Sequence, residues 1–257
     1  MNIDLGISDT WPKEAMAIAT AVARDIQFSE KGAVGKIPAS DLKWRDPDSD
    51  ADLEQKLRMA LAGHRVLTYH ATRLLPHEVD GIRHGGIEPL SADLIERKLR
   101  LARENYPEAL TEQDIELLRT SGPLTWGGVG QRVRLGQLWV VAPIEAFADV
   151  GGFEQLLGNW GGEVIYRVSG PDGVETARAQ SAINRINLIS VPSIVELAID
   201  PAKLRWSREI WKVMVGVLLG ARDPANEWYI ESRVPASDVV EILQPGNARW
   251  PTAAQSA

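Results

Sequence analysis

The order in which two periodicities succeed one another along the chain limits the fold most. As far as Arg119 the apolar residues recur at helical spacing: Ala15, Ile18, Ala19, Val22 and Ile26, then Leu53, Leu57 and Leu61, then Leu94, Ile95, Leu99 and Ala102. Beyond Leu135 short β-branched and aromatic runs take over: QLWVVA, GGEVIYRV, INLISV, IVELAI, NEWYIESRV and VVEIL. Helix-like IEAFADVGGFEQLLGN and REIWKVMVGVLLG interrupt them. Helices early and strands late, joined by short links, predict an α+β fold with a largely antiparallel sheet rather than a doubly wound one.

Local signals refine the first half. RVLTYH reads as a short strand ending at His70, and PHEVDGIRHGGI as a helix with Pro76 in its first turn and Gly85-Gly86 as its stop. Ser91 caps the helix ADLIERKLRLAREN, whose Arg97, Lys98, Arg100 and Arg103 form a basic face that can be a solvated surface or a binding patch. Thr111 with Asp114 resembles a capping box opening a third helix through about Arg119. The loop SGPLTWGGVGQRVRLG lacks the Lys-Ser/Thr and the strand-to-helix setting of a phosphate loop. Residues 1–50 are expected to be an N-terminal helix and an Asp-rich loop, 51–245 the main domain, and 246–257 a loose tail.

Composition excludes several functions. With 28 Lys+Arg against 35 Asp+Glu, the net charge of -7 gives no general attraction to phosphate backbones or anionic lipid. The absence of cysteine removes disulfides, thiolate nucleophiles and thiolate metal sites. MNIDLGISDT lacks the basic start and apolar core of a signal peptide, and the apolar stretch IWKVMVGVLLGA is too short for a membrane span, so a cytoplasmic protein is expected, with a toxin-like export route open. The nine tryptophans are expected mainly as core anchors.

His70, His77 and His84 recur every seven residues, but two helical turns separate His77 from His84 by about 10 Å, too far to share one ion. No metal is expected. No G-x-S-x-G elbow and no G-x-G-x-x-G fingerprint is present. That leaves His70, and the acid-rich run NEWYIES, whose Glu227 and Glu231 would point to the same side of a regular strand. GNWGGEVIYRV adds Glu163 and Tyr166, with glycines that either turn the chain or let backbone approach a ligand.

Tyr69-His70-Ala71-Thr72 followed by PHEVDGIRHGG, and Asn226-Glu227-Trp228-Tyr229-Ile230 followed by VPASDVVEIL, resemble the opening and closing motifs of the ADP-ribosyltransferase superfamily, the diphtheria-toxin and poly-ADP-ribose-polymerase group. That family opens with a strand ending Tyr-His-Gly-Thr and closes with a catalytic glutamate in Asn-Glu-Tyr-x-Val. The similarity spans residues 64–243, with motif-like ends only. It implies a split, largely antiparallel sheet with added helices. It also implies NAD as substrate without a metal, Glu227 and His70 as catalytic residues, and Tyr69, Ala71, Thr72, Trp139, Phe153 and Tyr166 around the dinucleotide. The family's nicotinamide-sandwiching tyrosines have only aromatic substitutes here, Trp139 with Phe147 or Phe153, and Ala71 stands for the usual glycine.

Cleavage of the nicotinamide-ribose bond builds positive charge on the ribose, which a carboxylate at Glu227 would stabilise. His70 would donate to the ribose, Trp139 would hold the nicotinamide, and Thr72 would orient His70. The resemblance implies ADP-ribose transfer to a protein or nucleic-acid acceptor, or NAD hydrolysis, in a toxin or phage-defence effector. An inactive NAD-binding or interaction module, and an RNA 2′-phosphotransferase using the basic face, are the alternatives.

Overall fold

The computed structural model describes residues 1–29, 47–121, 134–147, 153–162, 165, 173–205, 210–221 and 226–251. They form a mixed α/β fold with one six-stranded sheet and eight α-helices. The strands are β1 (Asn2–Ile3), β2 (Arg65–Leu74), β3 (Leu138–Ala142), β4 (Val191–Ile199), β5 (Asn226–Ile230) and β6 (Val239–Leu243). Their order is β5-β3-β2-β4-β6 with every pairing antiparallel, and β1 joins β2 in parallel. The helices are α1 (Lys13–Ser29), α2 (Pro47–Ala60), α3 (Pro76–Gly85), α4 (Ala92–Asn105), α5 (Glu112–Ser121), α6 (Glu154–Gly158), α7 (Gly173–Asn187) and α8 (Ile210–Leu219).

Side-chain alternation gives the sheet two apolar faces. Val195, Leu197 and Ile199 of β4, Val140 of β3 and Trp228 of β5 join one core with Ala15, Ala19 and Val22 of α1, Leu57 of α2, and Trp211 and Met214 of α8. On the other face Tyr69, Ala71, Val141, Ile194 and Leu243 pack with Phe147. A third cluster lies between helices: Ile95, Leu99 and Ala102 of α4, Ile115 and Leu118 of α5, and Ala179, Ala182, Ile183 and Ile186 of α7, together with the fully buried Trp160. Trp11, Trp160, Trp211 and Trp228 are buried, as expected of core anchors.

Several boundaries differ from the sequence expectations. β2 runs on to Leu74, so His70 sits in mid-strand rather than at its end. INLISV is not a strand: Ile186 and Asn187 finish α7, a helix the sequence reading passed over although Ala179, Ala182, Ile183 and Ile186 have helical spacing. Pro47 opens α2 inside the expected Asp-rich loop, taking the first helical position where a missing N–H costs nothing. The N-terminal segment is integral, since Ile3, Leu5 and Trp11 belong to the main core. The expected loose tail is packed as far as Pro251: Arg249 grips Glu196 and Trp250 lies on the Tyr69 cluster. Most of the Gly-rich loop and of GGEVIYRV falls outside the described residues.

Caps form where anticipated. Ser91 Oγ accepts from Leu94 N–H at 3.0 Å, and Thr111 and Asp114 exchange hydrogen bonds of 3.2 and 2.9 Å. Gly86 ends α3 at φ 81°, and Ile87 then bridges to Val234. A Cβ on Gly86 would overlap the Val234 carbonyl and crowd the backbone of Pro235 and Ala236, so only glycine fits. Gly81, inside α3, has open space around its Cα. Gly86→Ala should therefore lower the denaturation midpoint sharply, whereas Gly81→Ala should hold or raise stability by about 0.5–1 kcal/mol through helix propensity. Equal midpoints for the two variants in chemical denaturation would contradict this packing.

Candidate functional site

The site originates in a fault in the sheet. β2 pairs with β4 from Val66–Ile199 through Leu74–Val191 but meets β3 at one position, Tyr69–Val141. Past that point the two strands diverge, and residues of both edges border the opening. The Trp139 carbonyl is taken by the His70 ring, with Nδ1 donating to it at 2.8 Å. Burial pulls the His70 pKa down; the Trp139 bond opposes that shift and the Lys98 charge adds to it. The imidazole is thus held neutral, with its proton on Nδ1, leaving Nε2 as an acceptor.

A cavity of about 550 Å³ occupies this opening. Its walls include Tyr69, His70, Ala71 and Thr72 of β2, Trp139 of β3, Phe153 before α6, and Glu227 of β5. Residues 157 positions apart in sequence thus border one space, because β5 flanks β3, which flanks β2. Glu227 is solvent-accessible and sits opposite Val141 in the β3–β5 register. Glu231 lies past the end of β5, 4.0 Å from Arg205, and is not among the lining residues. Gly161 and Gly162, both with positive φ, also line the cavity, so they turn the chain and border the space at once.

The aromatic residues are engaged. Trp139 is tilted against Tyr229 at 5.6 Å, and the Arg134 guanidinium lies 5.2 Å from its ring centre. Phe153 meets Phe147 edge-on at 4.5 Å. Tyr69 touches the cavity, yet its hydroxyl is turned to a buried charge cluster, 3.3 Å from Glu196 and 3.4 Å from Asp4. Tyr69 is therefore a support of the site strand more than a ligand contact. Tyr166 and Glu163 lie outside the described residues.

The sequence reading missed two groups. Glu78 accepts from Lys98 at 2.6 Å, from Leu75 N–H at 2.8 Å and from Trp160 Nε1 at 2.8 Å, tying α3, α4 and the Trp160 cluster together beside the cavity. His77, left without a role in the sequence once a shared metal was set aside, lines the cavity. The capping spacing from Leu75 to Glu78 was the available signal for the first; His77 had none beyond its place in the first turn of α3. The basic face is internally compensated: Arg97 pairs with Glu88, Lys98 with Glu78, Arg100 with Glu104, and Arg103 with Glu112. Among the described residues no three potential metal ligands come together, and no helix is long and apolar enough to cross a membrane. Compared with models of known families, with curated proteins and with solved structures, the chain matches none of them.

Burial alone would raise the Glu78 pKa, but the Lys98 charge and the Leu75, Lys98 and Trp160 hydrogen bonds outweigh it and hold the carboxyl below its ordinary value of 4.5. A depressed carboxyl pKa stabilises the fold above the unfolded value, and that contribution is lost as pH falls through the folded value. Glu78→Gln should cost about 2–3 kcal/mol at neutral pH, below the usual cost of breaking a buried pair because Lys98 keeps some contact with water. It should also flatten the loss of stability below pH 4.5, both effects read from denaturation midpoints. Identical acid profiles for the two chains would remove Glu78 from this role.

Proposed function

We propose that the chain is an ADP-ribosyltransferase-type enzyme that cleaves the nicotinamide-ribose bond of NAD and passes ADP-ribose to an acceptor, or to water. The observation that carries this reading is that His70 and Glu227, the two ends of the motif pair, border one cavity together with Trp139 and Phe153. The opening between β2 and β3 is the kind of split sheet that the resemblance implies.

In this reading NAD enters along the opening. Trp139 or Phe153 flanks the nicotinamide, and the Glu227 carboxylate faces the ribose. As the glycosidic bond lengthens, positive charge grows on the ribose ring and the carboxylate stabilises it, an interaction stronger in the transition state than in the ground state. Neutral His70 acts as an acceptor, because Nδ1–H is committed to Trp139, so Nε2 accepts a hydrogen bond from a ribose hydroxyl rather than donating one as the sequence suggested. Thr72, two residues on, faces the same side of β2 and borders the same cavity. The leaving nicotinamide takes the bonding electron pair, and the acceptor nucleophile completes the transfer.

One observation favours a second reading, a module that binds NAD without cleaving it: Arg134 covers part of Trp139 and must yield before a nicotinamide ring can stack there. RNA 2′-phosphotransfer finds less support, since each cation of the α4 basic face already has a carboxylate partner. Nicotinamide release, followed by mass spectrometry with cell extract as the source of acceptor, separates the readings. Glu227→Gln should reduce release by roughly 10²–10³-fold, the usual scale for losing one charge-stabilising group, while NAD binding by calorimetry is kept. Native protein that binds NAD but never releases nicotinamide supports the binding module, and a Glu227→Gln rate equal to native would overturn the assignment of the carboxylate.

A further inference from the structure

His77 has no part in the chemistry above, yet its side chain borders the same cavity and is the least satisfied polar group there. Both ring nitrogens are buried and have no hydrogen-bond partner among the described residues, and the ring leans on Tyr106 at 5.8 Å and 32°. Unpaired buried donors and acceptors cost roughly 1–3 kcal/mol each, a deficit that a ligand offering matching groups removes when it binds.

The surrounding wall restricts what that ligand is. Ile82 of α3 with Leu94, Ile95 and Leu101 of α4 gives it an aliphatic lining. Lys98 on the same wall is neutralised by Glu78. An anionic phosphate offers acceptors only and would find no free charge on Lys98, whereas the two unpartnered ring nitrogens of an imidazole can serve a ligand that offers both donors and acceptors. A purine nucleoside has flat apolar faces for the aliphatic wall, a base edge carrying both donors and acceptors, and ribose hydroxyls that do both. The cavity volume lies within the range of pockets that enclose ligands of that size.

We infer that His77 is a ligand-binding residue that hydrogen-bonds a purine nucleoside moiety seated against the α3–α4 wall. The inference rests on the NAD reading in one respect, that the nucleoside is the adenosine half of the dinucleotide.

Calorimetry with adenosine and with nicotinamide mononucleotide, on the native chain, His77→Ala and His77→Gln, tests it without requiring turnover. Adenosine affinity should fall about tenfold in His77→Ala, the scale of one hydrogen bond, and recover largely in His77→Gln, which keeps a donor and an acceptor. Affinity for nicotinamide mononucleotide should not change. Because neither nitrogen has a partner to lose, His77→Ala should keep a near-native denaturation midpoint. Adenosine that fails to bind the native chain, or binds native and His77→Ala equally, overturns the inference. Nicotinamide release with an unchanged KM for NAD in His77→Ala overturns it while leaving the cleavage reading intact. Adenosine binding that depends on His77, in a chain that never cleaves NAD, supports the inference and defeats the cleavage reading.

Discussion

Everything at the site depends on where β2 stops pairing with β3. One register pair, Tyr69 with Val141, joins the strands, and past it the Trp139 carbonyl would face the opening without a β2 partner. The His70 imidazole accepts that duty at 2.8 Å, so one side chain both satisfies a backbone acceptor and fixes its own tautomer. Had the ladder continued, the space between the strands would be closed and Glu227, one strand further out, would look onto an ordinary sheet face. The fault in hydrogen bonding is therefore what turns a sheet into a container.

An opening in a sheet must be braced, and two charge clusters do this from different sides. On the face away from the main core, Glu196 of β4 is fully buried, takes two hydrogen bonds from Arg249 at 2.5 and 2.8 Å, and lies beside the Tyr69 hydroxyl. Burial raises the pKa of Asp4 against its Gly6 and Tyr69 hydrogen bonds, and it raises that of Tyr69, which the carboxylates of Asp4 and Glu196 push further. Residues near both ends of the chain thus clamp the strand that carries His70. Beside the cavity, Glu78 joins α3 to α4 through Lys98 and to Trp160. A buried ion pair adds little net stability but strongly penalises arrangements that separate its members, so both clusters serve geometry more than stability.

How much of this could be read in the sequence divides along the range of the forces involved. Helix periodicity, caps and the Pro76-to-Gly86 helix were legible because each rests on neighbours a few residues apart, and the mixture of helices with a largely antiparallel sheet followed from their order. The end of β2 was misplaced because Thr72 and Arg73 look polar, although one face of the strand is buried by β4 neighbours more than a hundred residues away. INLISV looked like a strand because Ile186 and Ile189 are β-branched, but packing against α5 decides that Ile186 finishes a helix. The tail looked loose because nothing local shows that Arg249 has Glu196 to hold. At the site, the resemblance singled out Glu227 and His70, which border one cavity, whereas His77 was passed over because a helix has an inner and an outer face only relative to a partner not visible in sequence.

Charges of both signs border the cavity. Arg97, Lys98, Arg134 and Arg233 stand on its walls with Glu78, Glu88 and Glu227. Glu78 binds Lys98, and Glu88 lies between Arg97 at 2.5 Å and Arg233 at 3.4 Å, so these charges largely cancel where they stand. Glu227 stands exposed on β5, and in the proposed reaction it is the lining carboxylate that answers the cation. In the proposed reaction a fixed lysine at that place would bind the ground-state diphosphate more tightly and oppose the growing charge on the ribose. With Arg97, Lys98 and Arg233 set against carboxylates and Glu227 exposed on β5, the charge pattern supports the proposed cleavage, in which the site answers a growing cation more than it holds an anion.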